Sequence, residues 1–232
     1  DGVRRDLIDN VGMSENRVSR IFNGIDVRQY ACNSATRLET RRQLGVDTTD
    51  LVVGTVANLT PFKGLHYLVE CASLVLSQNT RFVFLIAGEG SEKRLLETQI
   101  DKLGLQEKVR LLGQRSDIPD FLAALDLFVF PSVSEGHPNA LIEAMAVGLP
   151  CVVSELDGMS TADAFNIDGS GIVVNDYSPK GFSDAIEKYI QDPLFAQNSG
   201  RLAREIAEKR FSLKKIADRY VQLYEAVHIN RA

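Results

Sequence analysis

Six short apolar runs, separated by segments of helical character, constrain the fold of this chain more than any other feature. They occupy residues 51–57, 81–87, 109–112, 127–130, 150–154 and 171–174. Each is rich in β-branched or aromatic residues, as expected of strands buried on both faces. Between them the pattern predicts helices over 65–77, 91–103, 118–125 and 138–147, with Gly104 and Gly148 where helix C-caps belong. Such β–α alternation predicts an α/β fold built on a doubly wound parallel sheet, whose ligands bind beyond the carboxyl ends of the strands. The two ends of the chain read differently. Residues 2–10 suit a helix and 18–22 a short strand, followed by an Asn23-Gly24 turn. Beyond Pro179, apolar positions such as Ile206, Phe211, Ile216, Tyr220 and Leu223 predict two or three amphipathic helices.

A length of 232 residues suggests one large domain, or one domain with an appendage. The net charge of −5 argues against nucleic acid as a partner, which calls for a basic stripe. No apolar run approaches the roughly 20 residues that span a bilayer, so no transmembrane segment is expected. The start, Asp1-Gly2-Val3-Arg4-Arg5, lacks the apolar core of a signal peptide and an initiator Met, which suggests a piece of a longer chain. Cys32, Cys71 and Cys151 form no Cys-x-x-Cys and are odd in number, so reduced, buried thiols in a cytoplasmic protein are expected. His66, His137 and His228 join no His/Cys cluster, so no metal site is expected.

The chemistry concentrates in residues 134–154. Glu135 lies on a Gly-containing loop, a helix opens at Pro138-Asn139, and Glu143 follows eight positions after Glu135. Gly148 and Pro150 close the helix. Two carboxylates thus flank the N–H groups of a helix N-terminus, which attract anions. Carboxylates are poor phosphate ligands but good acceptors for sugar hydroxyls. The combination suits a molecule with hydroxyl-rich and phosphate-rich parts, such as a nucleotide sugar.

The run Glu135-Gly136-His137-Pro138-Asn139-Ala140-Leu141-Ile142-Glu143-Ala144-Met145-Ala146 resembles the Glu-x7-Glu signature of retaining glycosyltransferases with the GT-B fold, most closely those of family 4, or group 1. The resemblance spans about the whole chain but matches the C-terminal, donor-binding half of such enzymes. It implies a Rossmann-like half with extra C-terminal helices. Residues 1–45 would be an interdomain segment carried over from the N-terminal half, with the crossover at Ile21-Phe22-Asn23-Gly24-Ile25-Asp26, and 46–232 the donor-binding domain. It further implies transfer of a sugar, with retention, from a nucleoside-diphosphate sugar to an acceptor hydroxyl, in polysaccharide or glycolipid biosynthesis. The missing N-terminal domain would hold the acceptor, and the resemblance leaves room for peripheral membrane association of the full enzyme. No cofactor is implied. No Asp-x-Asp triplet occurs, so no essential metal is expected.

The resemblance also assigns roles. Lys63, on the loop 57–64, would neutralise the donor diphosphate as a point charge. Many members carry an Arg where Asn58 stands; Asn58 offers a hydrogen bond without charge. Glu143 would accept both ribose hydroxyls and Glu135 the hydroxyls of the transferred sugar. The N–H groups of Asn139, Ala140 and Leu141, behind Pro138, would face the diphosphate or sugar. His137 is either a donor to the ligand or a filler of the helix N-cap region. Gln114 would lie against the base. Arg115 would stack on a base or hold phosphate, or else pair with Asp117 at the surface. Gly88-Glu89-Gly90 reads as a tight strand-to-helix connection, with Glu89 a weak site candidate. In the loop after residue 154, Gly158 and Asp163 stand nearest the family's Gly-Gly turn and acid. Lys63 and Glu135 are the residues expected to act in catalysis. The alternatives are a non-catalytic nucleotide-sugar binding module and a nucleotide-sugar epimerase of the same fold. A nicotinamide dehydrogenase is disfavoured, because Lys93 replaces the third glycine of the dinucleotide fingerprint.

Overall fold

The computed structural model describes residues 2–31, 33–156 and 169–229. Its centre is a six-stranded sheet of β1 (Leu51–Val56), β2 (Phe82–Ala87), β3 (Val109–Gly113), β4 (Leu127–Phe130), β5 (Cys151–Ser154) and β6 (Ile172–Val174). All pairings are parallel, in the order β3-β2-β1-β4-β5-β6. The order reverses between β1 and β4, the switch point at which doubly wound sheets open a crevice. The strands alternate with α3 (Leu65–Gln78), α4 (Lys93–Lys102), α5 (Ile118–Ala124) and α6 (Asn139–Val147), after two N-terminal helices, α1 (Gly2–Asp9) and α2 (Ser34–Gln43). Then come α7 (Pro179–Gln191), α8 (Pro193–Ile206), a π-helical turn (Ala207–Phe211) and α9 (Leu213–Ile229).

Successive strand residues point to opposite faces, and each face has its own core. Val52, Phe128, Phe130 and Val153 pack with α5 and α6; Val53, Leu127, Val129 and Val152 pack with α3 and α7. Burial on both faces explains why these strands are apolar throughout rather than alternating. Gly148 caps α6 with φ +89°, and Gly104 follows α4 with φ +67°, conformations that an L side chain resists. Cys71 and Cys151 are buried, and burial pushes both thiols up; Cys32 lies outside the described residues.

Two features of the N-terminal segment differ from expectation. Residues 18–22 form no strand, and among the described residues the sheet-like contact nearby is one parallel bridge between Ile25 and Ser212. The sheet ends at β3 and β6, and among the described residues this extended segment pairs with neither. Its apolar content is used instead by Phe22, 5% exposed, which meets the Phe211 ring edge-on at 5.3 Å. Helix α2 was not expected. It is capped by Asn33, whose side chain accepts from the Ala35 N–H, and it packs on α5. Phe22 and Leu44 join the same core as β1, β4 and β5. At the other end, Val221 and Tyr224 on α9 are exposed.

Candidate functional site

The loop after β1 is shaped by a single 3-10 turn, Pro61–Lys63, ended by Gly64 at φ +59°. A Cβ on Gly64 would lie 2.1 Å from the Pro131 carbonyl oxygen, so only glycine fits there. The Val133 N–H donates to the Phe62 carbonyl at 2.8 Å, fastening this loop to the one after β4. The β1 loop is also braced against the loop after β2, through Leu59 N–H to Glu89 O and Glu92 N–H to Leu59 O, both 2.9 Å. These contacts aim Lys63 across the top of β4.

There the Lys63 ammonium donates to Glu135 Oε1 at 2.5 Å. The Glu135 side chain is 7% exposed and that of Lys63 22% exposed. Among the described residues Glu135 Oε2 accepts no hydrogen bond. The pair is one cation on one carboxylate, with acceptor capacity left over. On α6, burial pushes the Glu143 carboxyl up, and a hydrogen bond from Tyr30 offsets part of that. Burial, followed by the Glu143 charge, pushes the Tyr30 phenol up. His137 lies between the crossover and α6. Its Nε2 accepts from the Asn23 N–H at 3.0 Å, its Nδ1 meets Asn139 Oδ1 at 2.8 Å, and its ring lies 5.5 Å from that of Phe22. Burial pulls the His137 pKa down, while the Asn139 hydrogen bond and the Glu135 charge pull it back up.

One cavity of about 440 Å³ gathers most of the sequence candidates. Asn58, Lys63, Gln114, Arg115, Glu135, His137, Pro138, Asn139, Ala140 and Glu143 all line it, and so does Glu89. Leu141 does not; it is fully buried in the core below. Within the first turn of α6, the Asn139 N–H is occupied by His137 O at 3.0 Å and the Leu141 N–H by Pro138 O at 3.1 Å. Arg115 pairs with Asp117 at 2.5 Å, and its guanidinium lies 5.6 Å from the Phe121 ring centre. Its Nε is buried without a partner among the described residues. Arg115 thus has the partner expected of a surface pair and still lines the cavity. Glu89 pairs with Lys93 at 2.9 Å. Gly158 and Asp163 lie outside the described residues. Tyr30 and Asn23 are the contacts that sequence reasoning missed, since both reach α6 from more than a hundred residues away.

The cavity lies at the carboxyl ends of β1, β2 and β4, where a parallel sheet binds ligands. It offers cations, acceptor carboxylates and amide groups and, among the described residues, no paired nucleophile and base. The family described as glycosyl transferases group 1 matches residues 36–209. The chain belongs to the group 1 glycosyl transferases. Over 220 residues it is 31% identical to the UDP-Gal:alpha-D-GlcNAc-diphosphoundecaprenol alpha-1,3-galactosyltransferase of Escherichia coli, covering 93% of this chain and 56% of that protein. It is 27% identical to the lipopolysaccharide core biosynthesis mannosyltransferase LpsB of Rhizobium meliloti, over 89% of this chain and 60% of that one. The chain therefore spans little more than half the length of these relatives. Among solved structures, Anabaena HepE in complex with UDP and glucose superposes with a TM-score of 0.85 at 26% identity, over 93% of this chain and 59% of HepE. The C-terminal domain of the Francisella tularensis group 1 protein LpcC shares the fold along its whole length, with a TM-score of 0.72 at 19% identity over 82% of this chain. No helix among the described residues is long and apolar enough to cross a membrane.

Proposed function

We propose that this chain is the donor-binding half of a GT-B glycosyltransferase. The enzyme would transfer a hexose-type sugar, with retention, from a nucleoside-diphosphate sugar to an acceptor hydroxyl. The observation that carries this reading is the convergence of Lys63, Glu135 and Glu143 on one cavity at the strand carboxyl ends. Glu143, ionised, accepts the two ribose hydroxyls, a task for which a carboxylate has enough lone pairs. The Lys63 ammonium, paired with Glu135, turns to the diphosphate. Glu135 is then released to the hydroxyls of the transferred sugar. Bond breaking places charge on the departing diphosphate, and the fixed Lys63 cation stabilises that charge more than it stabilises the intact donor. Asn58 and Arg115 border the same space and supply further donors. Glycosidic bond formation then depends on an aligned acceptor hydroxyl. We assign the acceptor wall to a preceding domain, in the part of the relatives' length that this span does not cover. The cation in the reaction is Lys63, and no divalent metal is required.

The supporting comparison is HepE, which holds UDP in its structure, so uridine diphosphate is the first probe. Titration calorimetry should show UDP binding to this chain, unchanged in excess chelator. Glu143→Gln keeps the shape and removes a charged acceptor, so affinity should fall by about 1–3 kcal/mol. Because burial raises the Glu143 pKa in the folded state, the native fold favours the neutral form. Its contribution to stability is full below the unfolded value of 4.5 and is lost as pH rises through the folded one. The neutral glutamine should therefore raise the melting temperature of the empty protein at pH 7 while weakening UDP. Equal affinity of the two proteins would remove Glu143 from the site. Dependence on added Mg²⁺ or Mn²⁺ would overturn the metal-free reading.

A further inference from the structure

We propose that His137 is a positioning residue, a neutral clamp that ties the crossover segment to the first turn of α6 and turns the side-chain NH2 of Asn139 toward the ligand. The inference rests on the reading of the cavity as a donor site, but the clamp itself stands on contacts that need no ligand.

A backbone N–H can only donate. The Asn23 N–H at 3.0 Å therefore makes His137 Nε2 an acceptor, with its lone pair in place of a proton. The remaining proton of the neutral ring is then on Nδ1, and the Nδ1–H donates to Asn139 Oδ1 at 2.8 Å. Asn23 Nδ2 adds a second, longer contact to the same oxygen at 3.4 Å. The tautomer thus settles the orientation of the Asn139 amide. With Oδ1 turned to His137 and Asn23, the Asn139 NH2 points the other way. Among the described residues it donates to no partner, and Asn139 lines the donor cavity. Because the Asn139 main-chain N–H is occupied by His137 O, this residue contributes its side chain to an incoming phosphate or hydroxyl. The Phe22 ring packs against the imidazole at 5.5 Å between ring centres. A hydrogen-bond relay therefore runs from the main chain of the crossover to a ligand-facing donor.

The clamp titrates. Around His137 stand Glu135 from the β4 loop, Lys63 paired to Glu135 from the β1 loop, and Glu143 on α6. Arg20 lies 4.6 Å above the Phe22 ring. Burial outweighs the Asn139 hydrogen bond and the Glu135 charge and depresses the folded-state pKa below 6.5. The contribution of the clamp is accordingly complete above the unfolded value and lost as pH falls through the folded one. An imidazolium has no acceptor for the Asn23 N–H, so the crossover would be released from α6.

Two measurements decide. Nitrogen-15 NMR of the wild-type protein at neutral pH should show His137 as the Nδ1–H tautomer. The Nε2–H tautomer, or an imidazolium, would overturn the clamp. In parallel, UDP affinity is measured against pH for wild type, His137→Phe and His137→Gln. Phe keeps the packing on Phe22 and loses both hydrogen bonds, so UDP should bind about tenfold more weakly. Gln offers one acceptor and one donor and should recover most of that loss, without the acid-side decline that wild type owes to imidazole protonation. Wild-type affinity and pH profile in the Phe variant would overturn the inference. Absence of any nucleoside-diphosphate binding by wild type would instead sink the donor-site reading, and with it the ligand-facing part of Asn139, while the tautomer would still judge the clamp.

Discussion

Two ion-pair clusters sit at opposite ends of the adjacent strands β1 and β4, and they are built differently. At the amino ends, Asp126 accepts from Arg37 Nη2 at 2.6 Å, Arg41 Nη2 at 2.5 Å and the Val52 N–H at 2.7 Å. The same arginines reach the carbonyls of Ala123, Ala124 and Leu125. At the carboxyl ends, Lys63 and Glu135 share a single contact in a cavity wall. Both clusters are largely buried. The first is a knot whose charges are held from several sides, and it fixes α2 to the body of the sheet. The second leaves donors and acceptors unspent, so its partners can be exchanged for those of a ligand. Burial alone does not separate a structural ion pair from a functional one. The count of satisfied atoms around it does.

Substitutions can break that contrast. Asp126→Ala should have the largest effect. It strands Arg41, whose side chain is 5% exposed, and orphans the Val52 N–H. A loss of about 3 kcal/mol in urea unfolding is expected, with UDP affinity of the folded protein unchanged. A parallel fall in affinity would show that the two ends are coupled. Lys63→Met should do the reverse, weakening UDP by roughly 2 kcal/mol. It should also flatten the salt dependence of binding, which a point charge on a diphosphate confers. Unchanged affinity would make Lys63–Glu135 a second structural pair. Smallest of all, Arg201→Ala removes an exposed i,i+4 partner of Glu205 on α8 and should shift stability by at most about 0.5 kcal/mol. A larger shift would mean that exposed pairs carry more of this fold than the knot suggests.

Much of this architecture was legible in the sequence because burial writes itself into composition. β2 is buried at every position and reads as Phe-Val-Phe-Leu-Ile-Ala. The glycines after α4 and α6 announced their left-handed turns. Helix α2 was not legible. Its one large apolar residue, Leu38, is 55% exposed, and what it buries is Thr40 and Arg41. A helix held by guanidinium groups on distant carbonyls leaves no apolar period to detect. Residues 18–22 show the converse, since β-branched and aromatic residues favour an extended chain but cannot create a partner strand. At the site, Glu135 and Glu143 came from one local pattern. The Lys63–Glu135 contact and the Asn23–His137 bond join residues 72 and 114 positions apart, which no local pattern encodes.

The close approach of Gly64 to the Pro131 carbonyl has a consequence for motion. Together with the Val133–Phe62 hydrogen bond, it welds the loop that carries Lys63 to the loop that leads to Glu135. Neither loop can swing without the other, and both are rooted in neighbouring central strands. That wall of the cavity behaves as a fixed jaw. Any breathing that admits or releases a ligand has to come from the opposite side, where α6 meets the crossover through the packed Phe22 ring and a few hydrogen bonds. Amide exchange would see the difference as slow exchange at Val133, matching the strands, and faster exchange at Asn23.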